Sequence, residues 1–304
     1  LGGGNMFQAT QTFTLASQMM PWLEGRGATF GLVLALAVGL VIIGGIKGIA
    51  RVTSKIVPMM ALLYVAASLF IIGSNVTEIG SVFEMIVREA FYPPAIKGGF
   101  IGVMVVGLRR AAFSNEAGVG TAAIAHSAAK TREPVAEGVV GLHEPFVDTV
   151  VICTMTALVL IFTGHHQAGE GLDGAALTAA AFGSVFSWFP YVLMVAIALF
   201  SFSTLISFSY YGVKCFDYCF GGVFQAVFRR RSVATHFYRV VFLLFVVVGA
   251  SSDTSAVMDY SDMIIFSLIV TNTIGLYIMS SEVKRDLDSY FRRLRSGEIK
   301  PVKP

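Results

Sequence analysis

Repeated apolar segments, each close to the length that crosses a lipid bilayer as a helix, constrain the fold of this chain more than any other feature. Residues 29–46, for example, contain no charge, and about 20 apolar residues span the hydrocarbon core. Charged residues make up 13% of the chain, against about 25% in soluble domains. The sequence therefore predicts an all-α polytopic membrane protein that contacts the lipid bilayer and no nucleic acid.

The apolar pattern predicts about eight membrane spans. They lie at residues 2–20, 29–46, 55–73, 100–129, 139–163, 185–212, 236–252 and 257–280. The first predicted span has the composition of a helix that has begun before Leu1, so we expect an N-terminally truncated chain. Loops are predicted at residues 47–54, 130–137, 164–183 and 214–232. Within residues 74–91, apolar side chains recur at helical spacing between charged ones, which predicts a surface helix over the bundle.

The span at residues 100–129 differs from the others because residues 113–118 interrupt it with polar, acidic and glycine residues. Backbone that leaves helical geometry inside a bilayer frees N–H and C=O groups that lipid cannot satisfy, so it survives only where it lines a cavity within the protein. Transporters use such broken helices as sites for substrates and ions. We therefore expect a binding site at this break.

Two carboxylates inside predicted spans need partners. Asp148, next to Thr149, interrupts an apolar span, where an unpaired charge costs about 2.5 to 3.5 kcal/mol on insertion scales. Its partner is either a sodium ion or a hydrogen-bonded link to the broken span. Glu116 either caps the second half of the broken helix, pairs with Arg109 or Arg110, or contacts an ion.

Four blocks of sequence resemble one transporter family. They are GGGNMFQA at residues 2–9, GLRRAAFSNEAGVGTAAIAH at 107–126, FSFSTLISFSYYG at 200–212 and, more weakly, PFVDTVVICTMTALVL at 145–160. Together they resemble the alanine or glycine:cation symporters, also called sodium:alanine symporters. The resemblance implies sodium-coupled symport of a small neutral amino acid, alanine or glycine, with no cofactor beyond the coupling ion.

The resemblance also implies the leucine-transporter-type fold, which contains two inverted repeats of five spans, the first span of each being broken. Residues 1–73 would then be the last three spans of the first repeat, and residues 74–99 an extracellular surface helix and loop. Residues 100–280 would form a complete second repeat, with residues 281–304 as a cytoplasmic basic amphipathic tail. The first repeat's broken span would be missing, so we expect residues 1–304 alone not to transport.

Specific residues acquire expected roles from this resemblance. The expected substrate-binding residues are Gln8, Phe113, Ser114, Asn115, Gly118, Thr204 and Phe208. The expected sodium ligands are Ser114, Asp148, Phe200, Ser203 and Thr204. Hydroxyl groups in membrane helices also commonly bond to the preceding turn, and an amide such as that of Gln8 also bonds between helices. Phe208 stands where family members often carry Trp, which leaves somewhat more room for substrate.

Other classes of function compete with a symporter. A passive channel or a transporter-like receptor is the main alternative, since no sequence motif shows whether transport is coupled to an ion. A membrane-embedded hydrolase is suggested by His143 and Glu144, but the zinc motif HExxH needs a second His where this chain has Val147. We therefore expect no enzyme. The odd number of cysteines, Cys153, Cys215 and Cys219, suggests apolar packing and not a disulfide framework.

Lys and Arg are distributed unevenly between alternate loops. Three lie on one side (Arg26, Arg88 and Lys97), three lie within spans (Arg109, Arg110 and Arg239), and the remaining sixteen lie on the other side. Because cytoplasmic loops carry the excess of Lys and Arg, we expect the basic side and the C-terminus to be cytoplasmic in a cell membrane. The basic tail carries an apolar stripe, which predicts a helix on the anionic leaflet.

This topology predicts the pattern of thiol labelling in intact cells. In a background without the native cysteines, a cysteine at Lys130 or Arg230 should react with an impermeant reagent only after the cells are permeabilised, because both positions face the cytoplasm. A cysteine at Arg26 should react in intact cells and serves as the control. Labelling of a cysteine at Lys130 and at Arg230 in intact cells would refute the topology.

Overall fold

The computed structural model describes residues 1–91, 93–167 and 174–299. Within these residues every regular element is a helix, which confirms the all-α class. The chain starts with a π-helical turn, Gly2–Met6, and a second π-helix occupies Phe146–Cys153. The α-helices are α1 (Phe7–Met19), α2 (Gly27–Ile42), α3 (Gly45–Ser74), α4 (Ile79–Ala90), α5 (Pro93–Asn115), α6 (Thr121–His126), α7 (Pro134–Gly141), α8 (His143–Pro145), α9 (Thr154–Phe162), α10 (Gly174–Val185), α11 (Phe189–Phe228), α12 (Ser232–Ser251) and α13 (Thr254–Arg295).

Five helical segments of the described chain are long and apolar enough to cross a membrane. They are Gly45–Ser74, Pro134–Phe162, Phe189–Phe228, Ser232–Ser251 and Thr254–Arg295. The helices α2 and α10 are apolar but shorter. Every span predicted from the sequence overlaps at least one helix, so the chain has the architecture of a multi-pass membrane protein.

Helices continue through segments that the sequence analysis assigned to basic loops. Helix α3 covers residues 47–54, and α11 and α12 leave only residues 229–231 outside a helix. Lys and Arg are good helix formers, so their charge marks the edge of the bilayer without ending the helix. Helix α3 begins at Gly45, whose φ of +60° few other residues tolerate.

The expectation of a loop over residues 164–183 is wrong for its second half. Residues 168–173 lie outside the described residues, but α10 begins at Gly174. Alanine is the best helix former, and small side chains let this helix approach its neighbours. Ala181 and Phe182 are fully buried, in a cluster that also contains Leu15 and Leu193.

Two amphipathic helices leave apolar side chains exposed on the described chain. Helix α4 lies within the segment predicted to be a surface helix, but it buries Val82 while Phe83 and Val87 stay exposed.

The predicted tail is continuous with the last span, since α13 runs unbroken to Arg295. At 1.5 Å per residue its 42 residues extend over about 63 Å, roughly twice the hydrocarbon thickness.

The end of α13 is tied to the segment just before α7. Arg293 donates from Nη1 and Nη2 to the two carboxylate oxygens of Glu133 at 2.9 and 2.7 Å. The hydrogen bonds from Arg293 hold the pKa of the Glu133 carboxyl below its usual value. Such a bidentate pair has a defined geometry. It therefore brings together two segments that the sequence analysis assigned to the same side of the membrane.

Glycines allow the central helices to approach closely. A Cβ on Gly27 or Gly31 of α2 would collide with the backbone of α12, and one on Gly249 of α12 would lie 2.5 Å from the Cα of Met6. Helices in a bilayer associate through van der Waals packing and interhelical hydrogen bonds, because lipid is as apolar as leucine. Hydrogen bonds supply the second contribution. Asn5 Nδ2 donates to the carbonyl of Phe242 at 2.8 Å, and the Thr10 hydroxyl donates to the carbonyl of Gly249.

We expect Gly249→Ala to destabilise the protein by about 1 to 3 kcal/mol, because the added methyl group meets backbone that cannot move aside. The measurement is the melting temperature of the purified protein in detergent. Gly73→Ala is the matched control, since Gly73 also lies inside a helix and a Cβ there would meet no atom within 4 Å. Equal melting temperatures for the two variants would contradict this account of the packing.

Candidate functional site

The predicted break in the span is present, although it begins two residues later than the first of the polar residues. Helix α5 continues through Phe113 and Ser114 to Asn115, and α6 starts at Thr121. Between them the backbone turns through left-handed conformations, with φ of +54° at Glu116, +89° at Gly118 and +97° at Gly120. Glycine adopts this region without strain, which explains why glycines punctuate the break.

Side-chain hydrogen bonds fix the end of α5 and the start of the break. Asn115 Oδ1 accepts from the backbone N–H of Ala117 at 2.8 Å, while its Nδ2 donates to the Thr149 hydroxyl at 2.8 Å. The Ser114 hydroxyl donates to Asp148 Oδ2 at 2.5 Å. Of the two partners considered for Asp148, the structure contains the hydrogen-bonded link to the broken span. Asp148 and Thr149 lie on the π-helix Phe146–Cys153, a distortion that often accompanies functional sites.

Glu116 stays with the broken helix and does not pair with either arginine. Its Oε2 accepts from the hydroxyl of Thr121, the first residue of α6, at 2.5 Å. Arg109 and Arg110 instead donate to Asp262 Oδ2 on α13, at 3.1 and 2.9 Å. The pairing of Glu116 with Arg109 or Arg110 that the sequence left open is therefore wrong. Both guanidinium groups donate instead to Asp262, a buried aspartate on another helix.

A cavity of about 710 Å³ lies against the break. Of the predicted substrate-binding residues, Gln8, Phe113, Ser114, Thr204 and Phe208 line it. Asn115 and Gly118 are outside this wall, since Asn115 turns to Thr149 and the Gly118 carbonyl accepts from Asn272 Nδ2 at 2.9 Å. The helices α1, α5 and α11, which are distant in sequence, thus bring most of the predicted set together.

The predicted sodium ligands fall into two separate groups. Ser114 and Asp148 form one hydrogen-bonded pair. On α11 the Ser203 hydroxyl donates to the carbonyl of Phe200 at 2.8 Å, which is the ordinary bond to the preceding turn. Thr204 faces the 710 Å³ cavity, whereas Phe200 lines a second cavity of about 350 Å³. Gln8 lines both cavities.

Aromatic rings form much of the apolar wall. Phe113 meets Phe7 edge to face, with the ring centroids 4.6 Å apart. The ring of Phe208 fills the space where a side chain on Gly4 would lie. A Gly at residue 4 is therefore required by the close packing of Phe208 against the start of the chain.

Several lining residues were missed by the sequence analysis. They are Asn5, Tyr211, Thr271 and Asn272. Asn5 directly follows the glycine run, and that proximity was a usable signal. Thr271 and Asn272 lie in an apolar helix with no glycine or proline beside them, so only the fold brings them to the break.

Apart from one carboxylate, the cavity has an uncharged wall that is mainly apolar, with a few polar side chains. Among the described residues that line it, Glu116 is the only charged side chain, and hydroxyl and amide groups supply the remaining side-chain polarity. Aromatic walls with a few convergent polar groups are typical of sites for small molecules. The arrangement suits a small ligand that carries both a donor and an acceptor and little net charge.

Comparison with known proteins agrees with this geometry. The family model described as the sodium:alanine symporter family matches residues 1–303. The chain is 36% identical over 303 residues to the sodium/alanine symporter AgcS of Methanococcus maripaludis, which covers 98% of this chain and 64% of that protein. It is 33% identical over 301 residues to the probable sodium/glutamine symporter GlnT of Bacillus subtilis, covering 98% of this chain and 61% of that protein.

A third relative has a name that gives protons as well as sodium. The sodium/proton-dependent alanine carrier protein of Bacillus sp. strain PS3 is 28% identical over 282 residues, which are 88% of this chain and 62% of that protein. The chain thus spans less than two thirds of the length of these curated relatives. With a family match over nearly its whole length and a broken helix beside a cavity, the chain belongs to the sodium:alanine symporter family.

Proposed function

We propose that this chain forms part of a sodium-coupled symporter that carries a small neutral amino acid, alanine or glycine, into the cell. The observation that carries the proposal is the cavity of about 710 Å³ beside the helix break, whose wall combines aromatic rings, hydroxyl and amide groups and one carboxylate. It is supported by relatives that are named as sodium/alanine or sodium/glutamine symporters. On this proposal the helices have the inverted-repeat arrangement of the leucine-transporter-type fold, with the basic ends in the cytoplasm.

The proposed substrate contacts follow from the chemistry of the wall. Gln8 offers both a donor and an acceptor, which suits a zwitterion, and Ser114 and Thr204 add hydroxyl groups. Phe113 and Phe208 pack against the small side chain of the amino acid. Asn115 and Gly118 act indirectly, because they hold the shape of the break.

Two proposed sodium sites use the oxygen groups described above. Sodium is a hard cation that prefers oxygen ligands. The Ser203 hydroxyl and the Phe200 carbonyl are 2.8 Å apart, so both oxygens can face one cation once the hydroxyl proton turns away, with Thr204 beside them. Ser114 and Asp148 form the second site, where the carboxylate supplies a full negative charge.

Sodium-driven uptake tests the proposed function. Proteoliposomes that contain the purified full-length protein should accumulate labelled alanine or glycine above the external concentration when an inward sodium gradient is imposed. Replacement of sodium by potassium should abolish accumulation, and a proton gradient without sodium should not restore it. A passive channel would equilibrate the amino acid but never concentrate it, and a receptor would bind it without uptake. Either result would contradict symport.

A substitution at Thr204 tests the proposed sodium site on α11. Thr204→Ala removes one oxygen ligand, so we expect the sodium concentration for half-maximal uptake to rise roughly tenfold, equivalent to about 1.4 kcal/mol, with a smaller change in maximal rate. Thr204→Ser retains the hydroxyl and should behave almost like the unsubstituted protein. Normal uptake by Thr204→Ala at low sodium would show that the ion binds elsewhere.

A further inference from the structure

The last helix, α13, forms a wall of the cavity although the sequence analysis assigned no site residue to it. Leu268, Thr271, Asn272 and Gly275 all line the cavity. Their spacing of three and four residues places them on one face of the helix. Asn272 is the member of this face that reaches the break.

Asn272 contacts the break at two points. Its Nδ2 donates to the carbonyl of Gly118 at 2.9 Å. A Cβ on Gly120 would lie 2.9 Å from Oδ1 and 3.1 Å from Cγ of Asn272, so the amide fills the space that a side chain there would need. Both glycines have left-handed backbone conformations. The amide therefore fits the unusual backbone of the break and not merely the general surface of α6.

The other hydrogen bonds of the break lie within it or join it to the Thr121 hydroxyl of α6, and Asn115 at the end of α5 bonds to the π-helix. Ala117 N–H donates to Asn115 Oδ1, Val119 N–H donates to the Glu116 carbonyl, and Asn115 donates to Thr149. Within residues 1–91, 93–167 and 174–299, Asn272 supplies the one hydrogen bond that joins α13 to the segment between α5 and α6. The arginine pairs of Asp262 join α13 to α5, before the break.

We propose that Asn272 is a positioning residue for transport. By donating to the carbonyl that the break frees, it fixes the conformation of residues 116–120 and so the shape of the cavity wall that faces the amino acid. The inference rests on the proposed function for its effect on transport. Its effect on the backbone of the break does not depend on that function.

Asn272→Asp tests the donor directly, because the substituted carboxylate has the same shape but no donor at neutral pH. We expect the amino-acid concentration for half-maximal uptake to rise roughly tenfold, with a smaller change in maximal rate. Below about pH 4 a carboxyl of ordinary pKa is mostly protonated and regains an O–H donor. Relative to the unsubstituted protein at the same pH, that variant should then recover affinity, a response that a merely structural defect would not show.

A serine on the same helix provides the matched control. Ser267 lies outside the cavity wall, and its hydroxyl donates to the Met263 carbonyl within α13. Ser267→Ala should therefore leave the half-maximal concentration nearly unchanged. If Asn272→Asp fails to fold, Asn272→Ala removes the same donor without adding charge and should raise the half-maximal concentration to a similar extent.

Hydrogen–deuterium exchange separates this inference from the proposed function. In the purified full-length protein, amides of residues 116–121 should exchange faster in Asn272→Asp than in Ser267→Ala or the unsubstituted protein. Faster exchange in a protein that shows no sodium-driven uptake would leave the role of Asn272 at the break intact and refute the proposed symport. Unchanged exchange together with unchanged affinity would overturn the inference.

Discussion

The requirement that backbone polar groups find partners inside a bilayer governs the structure around the break. Lipid offers no hydrogen bonds, so each group freed between α5 and α6 needs a protein partner. Asn115 accepts from the N–H of Ala117 within the break, Ser114 and Asn115 donate to side chains of the π-helix, and Asn272 donates to the Gly118 carbonyl. The break is therefore held from two neighbouring helices, and the cavity lies where no helix fills the space beside it.

A second constraint is the weak force between helices in lipid. Without a hydrophobic drive, close contact and buried hydrogen bonds must hold the bundle together. The glycines at residues 27, 31 and 249 permit that contact, and Asn5 and Thr10 add hydrogen bonds across it. These residues surround the start of the chain. They hold Gly4 and Gln8 in register with Phe208 on α11, so the packing of the core also sets the shape of the cavity.

The sequence predicted the helical class and the break because both depend on local composition. Runs without charge indicate spans, and the polar, glycine-containing residues 113–118 mark the region in which the helix ends. Helix ends were predicted less well, since Lys47 and Lys214 lie within helices. Charge reports the membrane boundary, and helix ends depend on glycine, proline and tertiary packing.

Partners across the fold were the hardest to predict. The two possible environments of Asp148 looked equal in sequence, because its hydrogen bond to Ser114 joins residues 34 apart. Asn272 gave no local signal at all, since its partner is 154 residues away. Gln8 and Phe208 were placed through the resemblance to a family, which carries tertiary information that periodicity lacks.

The hydrogen bonds among the proposed ion ligands bear on coupling. Ser114 donates to Asp148, and Ser203 donates to the Phe200 carbonyl. In each proposed site a serine hydroxyl proton therefore points at an oxygen that would bind the cation. A cation that binds there must turn that proton toward another acceptor, and at Ser114 this alters a residue in the last turn of α5, next to the break. On the proposed function, sodium binding and the conformation of the cavity wall are then linked through one hydroxyl group. Linkage of this kind is reciprocal, so an amino acid that favours one conformation of the break also favours sodium at Asp148.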